Sequence, residues 1–448
     1  MSKYSKYYIR CINCNHHIGD FADWFKAFQE CPKCKTKRVE VVYKTDFKQL
    51  PELVSEGNKP TSMWHYFKYL PLYEETNIIS RGEGAIPLEK WEFMEKFAKD
   101  YYKINCKVVA YRNDLNTATN TFKDIAASMM SSAFYEHGYK QYAVASTGNI
   151  GTALAHYLSL AGISLSVFVP SDSLKQQEAE ISAYGQRIVR CKGDYHFAKK
   201  IALEYAEKFR ILISGCNFDP LRIESKRTMV FEWLRLLGKM PNVYVQALSG
   251  GTGPFAIDKA LRDLGESQHF QTTEWMQRLK MPRFILSQPH RCAPMAHAWT
   301  KAKADGFPYG YETYYPIYEN PKTEVPTLAT GNPQTYPPMA KLVHRSGGEI
   351  IEYDENKIGD VAKFIGYETA IKIGPAAAIG VGGFFEALKQ NMIRNDELVL
   401  INVSESARRA PDLMEKIIYT AQDVASVDEL TPNNREDFRK KLWDNVLI

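Results

Sequence analysis

Cys11, Cys14, Cys31 and Cys34 stand as two Cys-x2-Cys knuckles separated by sixteen residues. Four thiolates at this spacing can close a tetrahedron around one ion, so they are read as a structural Zn2+ site. Two disulfides are the alternative, disfavoured by a start without a secretory leader, because cytosolic thiols stay reduced. His16 and His17 are surplus to a complete set of four. Cys106, Cys191, Cys216 and Cys292 are scattered singly and read as small buried hydrophobes.

Two further turns and one lysine carry chemistry. Ser146-Thr147-Gly148-Asn149 sits between a short apolar run and a helical segment, where small residues and free amides suit a carboxylate. Ser249-Gly250-Gly251-Thr252-Gly253 has the same setting, and its glycines, hydroxyls and helix N-terminus suit a phosphate. Either turn alone could be only a tight turn. Lys123 opens a predicted helix with a small, apolar face. A desolvated amine there can attack an aldehyde to form a Schiff base, whereas the plainer reading points it to water.

The elements that must position these residues are legible as an alternation. Strands are predicted at 106–111, 141–145, 165–170, 187–191, 211–214, 243–248, 284–288, 349–353 and 398–403. Helices are predicted near 123–137, 150–161, 173–184, 195–208, 220–238, 254–265, 293–304, 355–365, 375–390 and 411–420. Such alternation implies parallel sheets covered on both faces, and the strand count fits two doubly wound α/β domains. In such sheets ligands sit beyond the carboxyl ends of the strands, where both glycine turns fall. Residues 306–340, rich in Pro, Gly, Tyr and Thr, are expected to be a long loop. The aromatic stretch Met63–Pro71 is expected to be a packing arm and a candidate dimer contact.

Composition excludes other classes. With 45% apolar and 24% charged residues over 448 positions the chain is neither disordered nor fibrous, and it is long enough for two or three units. No apolar run reaches membrane-spanning length, so a soluble, cytoplasmic protein without membrane contact is expected. The net charge of +5 falls entirely within residues 1–45, which hold nine Lys or Arg against four Asp or Glu. That module is read as a solvated surface rather than a nucleic-acid interface.

Ser146-Thr147-Gly148-Asn149 followed by Gly151–Tyr157, with Thr121-Phe122-Lys123-Asp124 upstream, resembles the threonine synthase group of fold-type II pyridoxal phosphate enzymes. Arg81–Leu88, Ala183-Tyr184-Gly185 and Pro220-x-Arg222-x-Glu224 with Thr228 follow in the family's order, so the likeness runs from about residue 81 to 412. It implies the tryptophan synthase β-like architecture behind a small zinc ribbon. The expected units are 1–45 for the ribbon, 46–104 for an arm and lead-in, 105–215 for a smaller domain with Lys123 and the Asn149 loop, and 216–448 for a larger domain with the phosphate turn and Ser404.

The resemblance also implies roles. Lys123 would carry pyridoxal 5'-phosphate covalently and shuttle protons, and Asn149 would bond its ring hydroxyl. Ser249, Gly250, Gly251, Thr252 and Gly253 would hold its phosphate. Ser146, Thr147, Gly148 and Asn149 would grip the substrate carboxylate. Ser404, with Ser406 as its rival, would face the pyridine nitrogen with a hydroxyl, which does not force a full positive charge onto the ring. The implied reaction converts O-phosphohomoserine and water to threonine and phosphate. The alternative is β-replacement on phosphoserine by a sulfur nucleophile, as in cysteate and cysteine synthases. A reading of another class, a non-catalytic binding protein with a basic ribbon, is opposed by the retained Lys123 and Asn149. A homodimer acting on a small amino acid is implied.

Departures fall on the substrate side. Thr117–Ile125 lacks the family's proline, glycine and arginine, Ile86 replaces a threonine, and Ser225-Lys226-Arg227 replaces Gly-x-Lys. Lys226, Arg227 and Arg409 are candidate anchors for a substrate phosphate.

Overall fold

Val243–Ala247 has five buried residues in succession, the pattern of a strand covered on both faces. In the computed structural model, which describes residues 6–146, 148–432 and 434–447, this strand lies inside a six-stranded sheet. The order is Glu349–Tyr353, Arg283–Pro289, Val243–Ala247, Leu398–Asn402, Lys107–Tyr111 and Leu88–Lys90. All neighbours are parallel except the last pair, which is antiparallel. A second, all-parallel sheet has the order Arg187–Arg190, Ser164–Val169, Gln141–Ala145 and Leu212–Ile213. Helices alternate with these strands, giving the expected α/β fold.

The N-terminal module is an antiparallel sheet of His17–Gly19, Tyr7–Cys11 and Val39–Tyr43. Its helix, Phe21–Lys26, is capped by the Asp20 carboxylate, which accepts from the amides of Ala22 and Asp23. Phe21, Trp24 and Phe25 from that helix are buried. Phe25 reaches Phe134 with ring centroids 5.2 Å apart, so the module is packed on the helix that begins at Lys123.

Four expectations change. Lys107–Tyr111, assigned to the smaller domain, pairs with Leu398–Asn402 in the larger sheet. Apolar patterning marks a strand but does not say which sheet receives it. The single helix expected over 220–238 is two, Pro220–Lys226 and Thr228–Leu237. The Ser225 and Thr228 hydroxyls bond the carbonyls of Arg222 and Ser225, competing with the helical ladder. The loop expected over 306–340 ends early, because helix Tyr336–Ser346 begins within it. Trp64 of the aromatic arm is buried in its own chain, its indole N–H shared by Glu83 Oε1 at 3.1 Å and Ser128 Oγ at 2.9 Å. The Trp64 side chain is thus spent within its own chain, while Lys68 of the arm is exposed.

Among the described residues no helix is long and apolar enough to cross a membrane. Helix Lys123–Glu136 is buried on every face from Asp124 to Phe134, and it packs on Asn149–Leu160 and Pro220–Lys226. These three helices position the site.

Candidate active site

Lys123 is placed by chain from the far end of the sequence. After strand Leu398–Asn402 the backbone carbonyl of Ser404 accepts from the amide of Phe122 at 3.2 Å, and Thr121 bridges Glu405 antiparallel. Thr121 Oγ1 accepts from the Lys123 amide at 3.0 Å, which fixes the first turn of the helix. The Lys123 side chain lies over the Phe122 ring with Nζ 4.5 Å from its centroid. Burial lowers its pKa to about 8, helped by the Arg222 guanidinium and opposed by Glu405. A substantial neutral fraction near neutral pH makes this amine nucleophilic toward a carbonyl.

Asn149 begins helix Asn149–Leu160 and is buried. Its Nδ2 donates to Glu405 Oε2, and its Oδ1 accepts from Arg409 Nε at 3.2 Å. Glu405 Oε1 accepts from the Ala376 amide at 2.8 Å, and burial raises the carboxyl's pKa despite these partners. The Ser146 hydroxyl serves its own turn, accepting from the Gly148 and Gly151 amides at 3.0 Å each. Gly148 closes that turn, and Thr147 lies outside the described residues.

The second turn follows strand Val243–Ala247 and opens helix Thr252–Glu266, whose first amides have no partner within the helix. Gly251 has φ +77°, a left-handed conformation that favours glycine, and a Cβ there would fall 2.0 Å from Met339 Cε. A Cβ at Gly250 would fall 1.7 Å from Asn217 Nδ2, so a carboxamide donor faces the bare backbone. Ser249 Oγ pairs with Thr330 Oγ1 at 2.8 Å, while Thr252 is buried beside Gly253. The donors and small residues of this turn suit a phosphate, and the half-buried amine of Lys123 suits an aldehyde.

Of the two hydroxyls considered for the ring nitrogen, Ser406 caps the short turn Ala407–Arg409 by accepting from the Arg408 amide at 3.3 Å. Ser404 is buried next to Phe122 with no such duty.

Of the three candidate phosphate anchors, Arg227 is occupied: it donates to Glu224 at 2.9 Å and to the Tyr69 carbonyl at 3.0 Å, and forms an ion pair with Asp263 at 2.8 Å. Arg409 pairs with Glu180 at 2.7 Å as well as with Asn149. Lys226 is buried close to Lys123 and has no acidic partner within bonding distance among the described residues. Sequence reasoning missed Glu405, Arg222 and Asn217 as site residues. Glu405 carried a readable signal, since it stands where the resembled motif has glycine after the residue matched by Ser404.

In the ribbon, the four sulfur atoms lie within 4.8 Å of one another. Cys11 and Cys34 are 3.5 Å apart, Cys14 and Cys31 3.7 Å. A disulfide would need about 2.05 Å, whereas a tetrahedron with metal–sulfur bonds of about 2.3 Å sets sulfurs about 3.8 Å apart. The cluster suits a metal ion.

A lysine at a helix start, a glycine turn after a strand, one all-parallel sheet and one parallel but for its edge pair fit a vitamin B6 enzyme of fold type II. The chain belongs to the pyridoxal-phosphate dependent enzyme family, whose sequence profile matches residues 79–405. Threonine synthase of Methanocaldococcus jannaschii is 25% identical over 409 residues, covering 90% of this chain and 93% of that protein. Cysteate synthase of Methanococcoides burtonii is 25% identical over 447 residues, covering 98% and 97%. Among solved structures, cysteine synthase of Entamoeba histolytica superposes with TM-score 0.58 at 15% identity, over 81% of this chain and 93% of that one. Threonine deaminase isoform 2 of Solanum lycopersicum gives 0.56 at 19%, over 74% and 82%. The chain is a threonine synthase-like enzyme dependent on pyridoxal phosphate.

Proposed function

We propose that the chain eliminates or replaces the phosphate of an O-phosphorylated amino acid, converting O-phosphohomoserine and water to threonine and inorganic phosphate. The observation that supports this reading is the meeting of three basic side chains, Lys123 and the buried Lys226 and Arg222, the two lysine Nζ atoms lying over one Phe122 ring, a group that suits an anionic substrate. When bound, pyridoxal phosphate supplies a conjugated ring that stabilises negative charge at the carbon bearing the amino group.

This chain's residues do the rest. Lys123 holds the cofactor and moves the proton at the substrate's α-carbon. Ser249, Gly250, Gly251, Thr252 and Gly253 seat the cofactor phosphate, and Asn149 bonds its ring hydroxyl. Ser404 faces the ring nitrogen. The substrate carboxylate rests at the amides of the Ser146–Asn149 turn. The four cysteines hold zinc structurally, and the enzyme works as a homodimer.

A second reading, sulfur addition to phosphoserine, is favoured by one observation: the cysteate synthase relative aligns across 98% of the chain, ribbon included. Phosphate release from O-phosphohomoserine and from phosphoserine, each with and without sulfite or sulfide, separates the two. An absolute need for the sulfur nucleophile would overturn the first. Borohydride should fix the cofactor on Lys123, and Lys123→Ala should be colourless.

A further inference from the structure

Arg38 follows the second cysteine knuckle, and its backbone is fixed from both knuckles. Its carbonyl accepts from the amide of Ile12, next to Cys11, at 3.1 Å. Its amide donates to Thr36 Oγ1 at 3.2 Å, and the Thr36 carbonyl accepts from the Cys31 amide at 2.8 Å. The side chain leaves the ribbon. Its guanidinium carbon lies over the Phe218 ring, 5.3 Å from the centroid, and its Nε is buried without a hydrogen-bond partner among the described residues. A guanidinium is attracted to an aromatic face, more strongly where water is excluded.

Phe218 belongs to the short turn Cys216–Phe218, which joins strand Leu212–Ile213 of the smaller sheet to helix Pro220–Lys226. The residue before it, Asn217, lies against the glycine turn of the larger sheet. A Cβ at Gly250 would fall 1.7, 1.9 and 2.3 Å from Nδ2, Cγ and Oδ1 of its carboxamide. Gly250 does not hold a left-handed φ, so backbone conformation is not what calls for glycine there. The close approach of Asn217 is. Glu40, two residues beyond Arg38, pairs with Arg262 at 3.3 Å on helix Thr252–Glu266, which opens at the same glycines. The ribbon therefore touches both the short turn that carries Asn217 and the helix that follows the phosphate turn.

We propose that Asn217 donates a side-chain hydrogen bond to the cofactor's phosphate, and that Arg38 of the cysteine ribbon is a positioning residue that aims it by holding Phe218. One carboxamide donor then adds to the backbone amides of the turn, and a hydrogen bond to an ionised phosphate is among the stronger ones. The ribbon thereby sets the geometry of a cradle that lies outside it. This deepens the reading of the pyridoxal phosphate site and rests on it.

The test compares two aldehydes that differ only in the phosphate. The full chain, freed of cofactor but with its ribbon metal in place, is titrated with pyridoxal 5'-phosphate and with pyridoxal, following the absorbance of the lysine-bound form. Asn217→Ala should bind pyridoxal 5'-phosphate ~10-fold to 100-fold more weakly and pyridoxal as before, because a hydrogen bond to a charged group is lost. Arg38→Ala should show part of the same phosphate-selective loss with its metal content unchanged, and should add nothing when combined with Asn217→Ala. Phe218→Leu keeps an apolar side chain but removes the ring face, so it should behave as Arg38→Ala does and carries the test if that variant does not fold. A ribbon that served stability alone would weaken both aldehydes equally or neither. Equal losses for both aldehydes, unchanged affinity in Asn217→Ala, or additive losses in the double variant would each overturn the proposal. A wild-type protein that binds neither aldehyde, or both equally well, would overturn the parent reading, and this one with it.

Discussion

Glu405 accepts a hydrogen bond from the carboxamide of Asn149, joining chain segments 256 positions apart. The contact ties the end of a strand in the larger sheet to the first residue of a helix in the smaller one, and Lys123 stands beside it. The orientation of Asn149 thus depends on a carboxylate supplied by the other sheet.

Removing that acceptor should loosen the cofactor. Glu405→Ala leaves the buried Asn149 amide without its partner, and an unmet buried donor costs about 1–3 kcal/mol. The cofactor dissociation constant should rise by about tenfold or more. Glu405→Gln keeps an acceptor but removes a negative charge that raises the Lys123 pKa, so that pKa should fall below about 8. Both effects can be read by following cofactor absorbance against concentration and pH.

Lys123 itself should titrate visibly in the apoprotein. With a pKa of about 8 the neutral amine fraction rises about tenfold per pH unit well below that value and levels off above it. The initial rate of cofactor capture should follow the same curve. A rate still climbing at about pH 10 would identify an ordinary exposed lysine.

Gly251→Ala should separate the phosphate cradle from the rest of the site. The added methyl meets Met339 and forces an L-residue to hold φ +77°, a strain of about 1–2 kcal/mol. Cofactor affinity should fall by about tenfold or more while the far-ultraviolet spectrum is unchanged. Calorimetric titration of apoprotein with cofactor measures it.

The ribbon is wired to the site helix through Tyr43, whose hydroxyl donates to Glu224 at 2.8 Å. Tyr43→Phe removes a hydrogen bond to a buried carboxylate and should lower unfolding stability by about 1–3 kcal/mol, read from the denaturant midpoint.

Metal removal should act on the same module. Cys34→Ser, or chelation of the native protein, should reduce bound zinc from about one ion per chain toward none and lower Tm by ~5 °C or more. Emission from Trp24, 1% exposed beneath the cluster's sheet, should shift to the red as the ribbon opens.

The amino-acid order alone revealed whatever is local. Two cysteine knuckles place four thiols within reach of one ion because each knuckle is a tight turn. Apolar runs such as Val243–Ala247 declare strands buried on both faces, and glycines at a strand-to-helix junction declare where a backbone must stay bare. Lys123 and Asn149 were legible for the same reason, each standing in a short ordered motif.

Only the tertiary structure decided which of these pieces meet. It put Lys107–Tyr111 into the larger sheet, gave Asn149 its partner in Glu405, bound Arg227 into an ion-pair group and set the buried Lys226 against the Arg222 carbonyl. Burial and charge pairing arise from contacts between residues hundreds of positions apart, and one-dimensional spacing does not encode them. An arginine and a lysine adjacent in the chain therefore look equivalent as text, yet one is a fixed strut in an ion-pair group and the other is buried against a backbone carbonyl.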